Sequence, residues 1–295
     1  MRIDRRQLVT GGLAALALPS LARPAGAAVT GPSDLIAALQ AIERKAGGAK
    51  LGVCIIDCAW GTRVGYRADE RFPLLSSFKL LAGAAVLERV DAHKNRLDGV
   101  VAYGKDDLVA YSPATEKHAG EGMSLGAICE AAITLSDNTA GNLMLKTIGG
   151  PEGLTAFARR IGDETSRLDR WETALNDVKP GDRRDTTSPA AMAEDVRRLV
   201  TGDVLQPGSR QQLADWLIAS QTGGKRLRAG LPKDWKAGDK TGTTTGAAND
   251  VAIAWPPDRA PVVIAAYMKE VTLKQAETDA VFASVAQVAA DFLTD

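Results

Sequence analysis

Three short motifs hold the residues of this sequence whose types and spacing could do chemistry. The stretch LLSSFKLL, residues 74–81, contains Ser76 and, three positions later, Lys79. Ser-Asp-Asn occupies residues 136–138, and Lys-Thr-Gly occupies residues 240–242. Lys79 is the most demanding of these residues, because a charge inside an apolar run is costly unless it is paired or functional.

The spacing of the first motif pairs Lys79 with Ser76. The run that follows, FKLLAGAAVLERV, predicts a helix that begins at or near the two serines. Helical positions three apart share a face and positions two apart do not, so Lys79 is expected to meet Ser76 and not Ser77. A poorly solvated lysine has a lowered pKa and can accept a hydroxyl proton. Alternatively, a serine merely caps the helix and Lys79 extends along the apolar surface to solvent.

The other two motifs add hydrogen-bonding groups but are ambiguous in isolation. Ser136 and Asn138 place a hydroxyl and an amide in a helical or near-helical turn, where they could equally form a local cap. Lys240 lies on a predicted strand, and Gly242 would allow a ligand to approach that strand closely. An exposed edge strand would also account for the lysine and the threonine.

Taken together, the motifs resemble those of class A serine β-lactamases. Ser-x-x-Lys, Ser-Asp-Asn and Lys-Thr-Gly occur jointly in these enzymes and in penicillin-binding proteins, and they occur here in that order. The stretch RLDRWETALNDVKPGDRRDTT resembles the family's omega loop. VAYSPATEKH resembles the segment with an aromatic residue at the cleft mouth, here Tyr111. The resemblance covers nearly the whole mature chain.

The resemblance implies a role for each catalytic residue. Ser76 would open the β-lactam amide and form an acyl-enzyme, with Lys79 or Glu172 as the base that activates it. Glu172 would activate the water that hydrolyses the acyl-enzyme, and Ser136 would pass a proton to the departing nitrogen. Backbone N–H groups of Ser76 and Thr243 would form the oxyanion hole. The residues implied in binding substrate or water are Asn138, Asn176, Lys240, Thr241, Gly242, Thr243, Tyr111 and Arg226.

The omega loop is expected to be braced and to differ from many relatives at one peptide bond. Arg170 and Asp185 could pair across the loop and so fix Glu172, although a solvated surface ion pair contributes well under about 1 kcal/mol. Thr173 follows Glu172 where many relatives have proline, often after a cis peptide. The loop therefore either keeps a cis peptide before a residue other than proline or is rearranged.

Another departure concerns the arginine that binds the substrate carboxylate. Some relatives carry it on the strand after Lys-Thr-Gly, where this sequence has Asn249. Relatives that lack it can supply a guanidinium from the stretch before that strand, which here reads KRLRAG. Arg226 is predicted to take this role and Arg228 to be structural, the alternative being that both only support the fold.

The cysteines predict neither a disulfide framework nor a metal site. Cys54 and Cys58 lie about 13 Å apart on a predicted strand, beyond the disulfide limit of about 7 Å. Cys129 matches half of a bridge found in some relatives, but Gly83 fills the partner position. Many carbapenem-hydrolysing relatives bridge two further positions, occupied here by residues 75 (leucine) and 244 (threonine), which argues against carbapenemase activity. With 2 histidines and 3 cysteines in the chain, a zinc site has almost no support.

Outside the motifs, hydrophobic periodicity predicts an α/β fold of the α+β type. Strands are predicted near both chain ends, and helical patterns run from 78 to about 161. We expect a five-stranded antiparallel sheet flanked by helices plus a mainly helical region, as in β-lactamases and D,D-peptidases. The α/β region would comprise residues 28–66 and 216–295. The helical region would comprise residues 67–215, with the omega loop at about 163–185 and the ligand cleft between the two regions.

The first 27 residues have the pattern of an export signal. A basic start precedes a short apolar stretch, and Ala-Gly-Ala at 25–27 is typical of a cleavage site. Arg5-Arg6 resembles a twin-arginine signal, with an ordinary secretion signal as the alternative. The apolar run is too short to span a bilayer, so no stable membrane anchor is expected. We expect a mature chain that works in the periplasm or outside the cell.

Composition narrows the class of partner. The chain has 36 basic and 36 acidic residues and is 45% hydrophobic, as is ordinary for a globular protein. Nucleic acid is an unexpected partner, because phosphate binding needs clustered lysine and arginine. The expected partner is a small β-lactam, bound by a monomer without a cofactor or metal.

Two alternatives share the acyl-serine chemistry. A penicillin-binding D,D-peptidase carries the three motifs but lacks the omega-loop glutamate, which RWETALN supplies here. A β-lactam sensor is acylated once and stays acylated, and it would need a membrane segment or a signalling domain. A generic exported binding protein would leave the joint occurrence of the motifs unexplained.

Overall fold

The computed structural model describes residues 29–294, so the predicted export signal at residues 1–27 lies outside the described residues. In the described part of the chain, no helix is both long and apolar enough to cross a membrane. The helices are α1 Pro32–Arg44, α2 Phe78–Asp91, α3 Leu125–Thr134, α4 Asn138–Ile148, α5 Gly150–Arg160, α6 Pro189–Thr201, α7 Pro207–Ile218, α8 Leu227–Gly230 and α9 Gln275–Thr294. The strands are β1 Lys50–Asp57, β2 Thr62–Tyr66, β3 Phe72–Pro73, β4 Val100–Val101, β5 Met123–Ser124, β6 Thr186–Thr187, β7 Lys236–Thr244, β8 Ala247–Trp255 and β9 Val262–Lys269. Short 3₁₀ helices lie at Leu75–Ser77, Lys105–Asp107, Thr115–His118 and Ala174–Asn176.

The main sheet takes its strands from both ends of the chain. Its order is β2-β1-β9-β8-β7, with every neighbouring pair antiparallel. This confirms the predicted five-stranded antiparallel sheet. The register aligns Gly52, Tyr267, Asn249 and Gly242 in one row across β1, β9, β8 and β7. The sheet thus places Gly52 of β1 in the same row as Gly242 of the Lys-Thr-Gly motif, with β9 and β8 between them.

Both faces of the sheet are buried, and successive strand residues alternate between two cores. In β1, Leu51, Val53 and Ile55 join the core that includes side chains of α1 and α9. Cys54 and Ile56 join the larger core that includes side chains of α2 and α6. Strands that are covered on both faces read as nearly continuous apolar runs, as KLGVCIID does.

The predicted helical stretch from 78 to about 161 is interrupted three times, the last time at Gly149 between α4 and α5. Residues 92–124 form 3₁₀ turns and the two-residue antiparallel strands β4 and β5 instead of a long helix, with Gly120 and Gly122 at positive φ. A second break separates α3 from α4, where Ser136 has φ 62°. Asp137 causes this break by capping α4, since its carboxylate accepts a hydrogen bond from the Ala140 N–H.

The row across the sheet yields a prediction about stability. A Cβ added to Gly52 would lie 2.4 Å from Cε2 of Phe72, a fully buried ring. We expect Gly52→Ala to lower the free energy of unfolding by about 1–3 kcal/mol, because the packed ring must shift. Urea unfolding of both proteins measures the difference.

Gly208→Ala is the matched control. A Cβ at Gly208, in the first turn of α7, meets nothing within 4 Å. Alanine favours helix, so this variant should be neutral or slightly more stable. Equal stability of the two variants would contradict the packing argument at Gly52.

Candidate active site

A cleft of about 900 Å³ lies where the start of α2, the α3–α4 break, the omega loop and β7 meet. The following sequence-predicted site residues line it: Ser76, Tyr111, Ser136, Asn138, Asn176, Arg226, Thr241, Gly242 and Thr243. Lys79, Glu172 and Lys240 lie buried and hydrogen-bond to residues of this lining. The structure therefore brings together every residue that the three motifs and the omega loop supply.

Local structure pairs Lys79 with Ser76 as the helical spacing predicts. Ser76 lies in the 3₁₀ turn that leads directly into α2, and Lys79 Nζ is 3.0 Å from Ser76 Oγ. The Ser77 hydroxyl points away from Lys79. It donates to the carbonyl of Leu74 at 2.6 Å and lies 3.1 Å from the Tyr267 hydroxyl.

The Lys79 ammonium joins four segments of the chain. Besides Ser76, Nζ donates to the carbonyl of Ser136 at 2.9 Å and to Asn138 Oδ1 at 2.6 Å. Glu172 Oε1 lies 3.0 Å from the same nitrogen, and both side chains of this ion pair are fully buried. Gly141 makes room for the lysine, since a Cβ there would lie 2.8 Å from Lys79 Cε.

Burial lowers the pKa of both lysines in the site. For Lys79, desolvation is the largest cause and the charge of Glu172 opposes it. For Lys240, desolvation and then the charge of Lys79 lower the pKa to about 7. Burial therefore makes each of these lysines a better proton acceptor than an exposed lysine.

Glu172 contacts the nucleophile candidate and is held from two sides. Its Oε1 lies 3.5 Å from Ser76 Oγ, and Asn176 Nδ2 donates to its Oε2 at 2.6 Å. Asn142 holds the backbone, because its amide accepts from the Glu172 N–H at 2.9 Å and donates to the Glu172 carbonyl at 3.0 Å. The sequence reasoning missed Asn142, which lies four positions after Asn138 on the same helical face.

The omega loop contains the predicted brace and a cis peptide at Glu172-Thr173. Arg170 Nε donates to Asp185 Oδ2 at 2.6 Å, and the N–H groups of Asp169 and Arg170 donate to Asp185 Oδ1 at 2.7 and 2.9 Å. The Asp185 side chain is 1% exposed. The brace is thus a buried, multiply bonded carboxylate and not a solvated surface pair.

Lys240 links the Ser-Asp-Asn break to β7. Its Nζ donates to Ser136 Oγ at 3.0 Å and to the carbonyl of Thr241 at 2.8 Å. The Thr241 hydroxyl donates to Thr222 Oγ1 at 2.7 Å. Thr222, which also lines the cleft, carried no sequence signal because it lies in a loop outside the motifs.

Arg226 is 3% exposed and four of its five N–H donors are engaged. Nε donates to Asp279 Oδ1 at 2.8 Å, and Nη1 donates to the carbonyls of Gly242 and Asn249 at 3.0 and 2.6 Å. Nη2 donates to the Thr243 hydroxyl at 2.6 Å. The guanidinium therefore supports β7 and orients Thr243 at the cleft wall.

Tyr111 and Asn138 line the cleft wall, whereas Asn249 and Arg228 do not. Tyr111 is 62% exposed at the mouth of the cleft. Asn138 contributes its side-chain amide, which also donates to the carbonyl of Ala110 at 2.8 Å. Asn249 is fully buried on β8, the strand next to β7, and donates to backbone carbonyls of the turn before Ser76. Arg228 lies 3.3 Å from Asp239 and donates to the Ser220 carbonyl, a structural arrangement.

Gly242 allows β7 to approach the turn that carries Ser76. A Cβ on this glycine would lie 2.7 Å from Leu75 Cβ and 3.0 Å from the Ser76 nitrogen. The glycine was predicted to admit a ligand, and here it admits the backbone of the Ser76 turn. The close approach brings the N–H of Ser76 to the strand that carries the N–H of Thr243.

The cysteines and acidic side chains form no further centre in the described chain. Cys54, Cys58 and Cys129 are free, and the first and last of these are buried. Among residues 29–294, no group of three or more histidine, cysteine, aspartate or glutamate side chains is placed to hold a metal ion.

Comparisons with known proteins agree with this geometry. A family model described as the β-lactamase enzyme family matches residues 34–293. The chain is 48% identical over 300 residues to β-lactamase AST-1 of Nocardia asteroides, across 99% of this chain and 97% of that protein. It is 46% identical over 271 residues to the carbapenem-hydrolysing β-lactamase KPC of Klebsiella oxytoca, across 91% of this chain and 92% of that protein. A solved ancestral class A β-lactamase superposes with a TM-score of 0.85 at 58% identity, across 86% of this chain and 98% of that one.

The chain therefore belongs to the β-lactamase enzyme family, and its fold is that of class A. This confirms the family and the fold class that the motifs predict.

Proposed function

We propose that this enzyme hydrolyses the β-lactam ring of penicillins and cephalosporins through an acyl-enzyme on Ser76, and that it thereby confers resistance to them. The observation that carries the proposal is the position of the Glu172 carboxylate. It lies 3.5 Å from Ser76 Oγ and 3.0 Å from Lys79 Nζ, and Asn176 holds its second oxygen. A carboxylate beside the acylated serine can activate water there, which distinguishes turnover from stable acylation.

In the acylation step, Ser76 Oγ attacks the lactam carbonyl carbon and the C–N bond breaks. The hydroxyl proton passes to Glu172 or to the neutral amine form of Lys79, both of which contact Ser76. The lactam nitrogen receives its proton from the Ser136 hydroxyl, which Lys240 contacts at 3.0 Å, and the proton taken from Ser76 then passes to Ser136, so that the base is free again. The carbonyl oxygen becomes negative and is stabilised by the N–H groups of Ser76 and Thr243.

In the deacylation step, Glu172 takes a proton from water as that water attacks the ester carbonyl. Asn176 Nδ2, 2.6 Å from Glu172 Oε2, keeps the carboxylate oriented and offers an amide to the water. As the ester bond breaks, Glu172 passes this proton to Ser76 Oγ, 3.5 Å away, so that both side chains return to their starting state. The braced omega loop keeps Glu172 in place throughout.

Substrate recognition is assigned to the β7 side of the cleft. Lys240, Thr241 and Thr243 receive the substrate carboxylate, and Arg226 acts by orienting the Thr243 hydroxyl. Gly242 lets β7 approach Ser76. Asn138 and Tyr111 face the acyl side chain at the other wall.

Carbapenems are expected to be poorer substrates than penicillins, despite the likeness to the carbapenem-hydrolysing KPC. Leu75 and Thr244 stand where such relatives often have a bridge, and Thr244 instead donates to the carbonyl of Asn176 at 3.2 Å. This contact links β7 to the omega loop without a covalent bond.

Export, a monomeric state and a division into two regions complete the proposal. The chain is exported and loses residues 1–27, and it works as a monomer. It divides into an α/β region of residues 28–66 and 216–295 and a helical region of residues 67–215. The strands at both chain ends support this division, since they join one sheet.

The first prediction tests Glu172 with a chromogenic cephalosporin in large excess. The unmodified enzyme should turn over continuously. Glu172→Gln should lower deacylation by about 10²–10⁴-fold, because it removes the general base. The acylated protein should then accumulate, which intact-protein mass spectrometry detects.

Glu164→Gln is the matched control, since this carboxylate also lies in the omega loop but is 82% exposed. It should retain full turnover. Full turnover in Glu172→Gln would contradict the assignment of the base. A single stoichiometric burst from the unmodified enzyme would instead indicate a peptidase or a sensor.

The second prediction concerns the brace of the omega loop. Asp185→Asn keeps an acceptor for the backbone N–H groups but removes the charge that faces Arg170. We expect deacylation to fall about tenfold more than acylation, because misplacing Glu172 disturbs the water step most. Pre-steady-state rates of the two steps measure this. Asp182→Asn changes an omega-loop carboxylate that bonds to Arg184 and not to Arg170, and it should change neither step. Equal losses in both steps for Asp185→Asn would refute the brace.

The third prediction concerns the charge of Lys240. Its pKa of about 7 means that the free enzyme loses this cation as the pH rises through neutrality. The value of kcat/KM for a carboxylate-bearing substrate should therefore fall over that range, chiefly through a rising KM. Lys240→Arg stays charged and should flatten this limb of the pH profile. An identical limb in both proteins, with folding checked by thermal unfolding, would contradict the assignment.

A further inference from the structure

One row of residues across the main sheet contacts the whole turn that carries Ser76. In this row, Tyr267 of β9, Asn249 of β8 and Gly242 of β7 are direct register partners. Cross-strand partners point to the same face, here the one beneath the Ser76 turn. The Tyr267 hydroxyl meets Ser77, and Gly242 meets Leu75 and Ser76.

Asn249 makes the polar contacts in the middle of this row. Its Nδ2 donates to two successive carbonyls, those of Pro73 at 3.1 Å and Leu74 at 2.9 Å. The side chain is fully buried. The two carbonyls fix the orientation of the amide, because the reverse orientation would set the amide oxygen against both of them.

The arrangement leaves the other amide atom unsatisfied. Within the described chain, Asn249 Oδ1 has no hydrogen-bond partner although it is buried. It faces β7, since a Cβ on Gly242 would lie 2.6 Å from it. Burying an unpaired acceptor is unfavourable, and it offsets part of the stabilisation that the two donated hydrogen bonds provide.

The turn held by Asn249 is itself unusual. Leu75, which follows the two bound carbonyls, has φ 47°, a left-handed conformation that a branched aliphatic residue rarely adopts. The next residue, Ser76, supplies both the nucleophile and one N–H of the proposed oxyanion hole. Asn249 therefore holds the two peptides that enter this conformation.

We propose that Asn249 is a positioning residue for the oxyanion hole, which it serves by fixing the Ser76 turn to β7. The inference rests on the proposed function and deepens it. Asn249 lies between the two N–H donors: it binds the turn before Ser76 through Nδ2, and its β7 partner Gly242 immediately precedes Thr243. Its own carbonyl accepts from Arg226, the side chain that also holds the Thr243 hydroxyl.

This placement predicts which step depends on Asn249. Substrate binding before reaction uses the β7 side chains and the cleft walls, which Asn249 does not line. The tetrahedral intermediate needs both N–H groups at the correct spacing. Loss of the amide should therefore weaken acylation while leaving the initial binding of substrate unchanged.

The test compares the unmodified enzyme with Asn249→Leu, which keeps a similar volume and removes the donor. We expect kcat/KM for a penicillin and for a chromogenic cephalosporin to fall about 100-fold, as for a misplacement of about 1 Å. Affinity for a boronic acid that forms a tetrahedral adduct with Ser76 should fall in parallel. In a Ser76→Ala background, the Kd of intact substrate should be the same with asparagine or leucine at position 249.

Ser209→Ala is the control for loss of a buried hydrogen bond, since its hydroxyl donates to Asp91 Oδ1 at 2.6 Å far from the cleft. It should lower stability without changing kcat/KM. Asn249→Ala provides the same comparison if the leucine variant does not fold. A folded position-249 variant with kcat/KM within threefold of the unmodified enzyme would overturn the inference, as would equal losses in boronate affinity and substrate Kd. Absence of turnover in the unmodified enzyme would refute the proposed function instead.

Discussion

The buried ammonium of Lys79 is the interaction on which the rest of the site depends. An isolated cation in this position would be strongly unfavourable, so Lys79 needs hydrogen-bonding and charged partners around it. They come from four segments: Ser76 in the 3₁₀ turn before α2, the Ser136 carbonyl at the α3–α4 break, Asn138 at the start of α4, and Glu172 on the omega loop. Satisfying one charge therefore brings together the proposed nucleophile, proton donor and general base.

The main sheet positions the turn that carries Ser76. Its strands come from both ends of the chain. One row of residues across these strands contains two glycines, Gly52 and Gly242, which have no side chain. The first makes room for Phe72 and the second for the Ser76 turn. Between them, Asn249 and Tyr267 hold the same turn by polar contacts. The geometry of the candidate site thus depends on the sheet as much as on the helices.

Sequence patterns predicted most of the fold and the members of the site, for identifiable reasons. Period-2 and helical periodicities depend on local chain geometry, so the sheet strands and the Ser76–Lys79 pair were readable directly. The break at Ser136 could not be predicted, because the surrounding residues favour helix. Asp137 caps the start of α4 there and so separates α4 from α3. Asn142 and Thr222 were missed because their partners, Glu172 and Thr241, are distant in sequence.

The sequence alone determined which groups are present and which of them share a helical face, because those relations are local. It identified the serine, the two lysines, the glutamate and the family that combines them. Only the tertiary structure decided that Arg226 is occupied in holding β7 and Thr243, and that Asn249 lies beneath the Ser76 turn and not in the cleft. Those assignments depend on strand register and on burial, which arise from contacts between residues far apart in the chain.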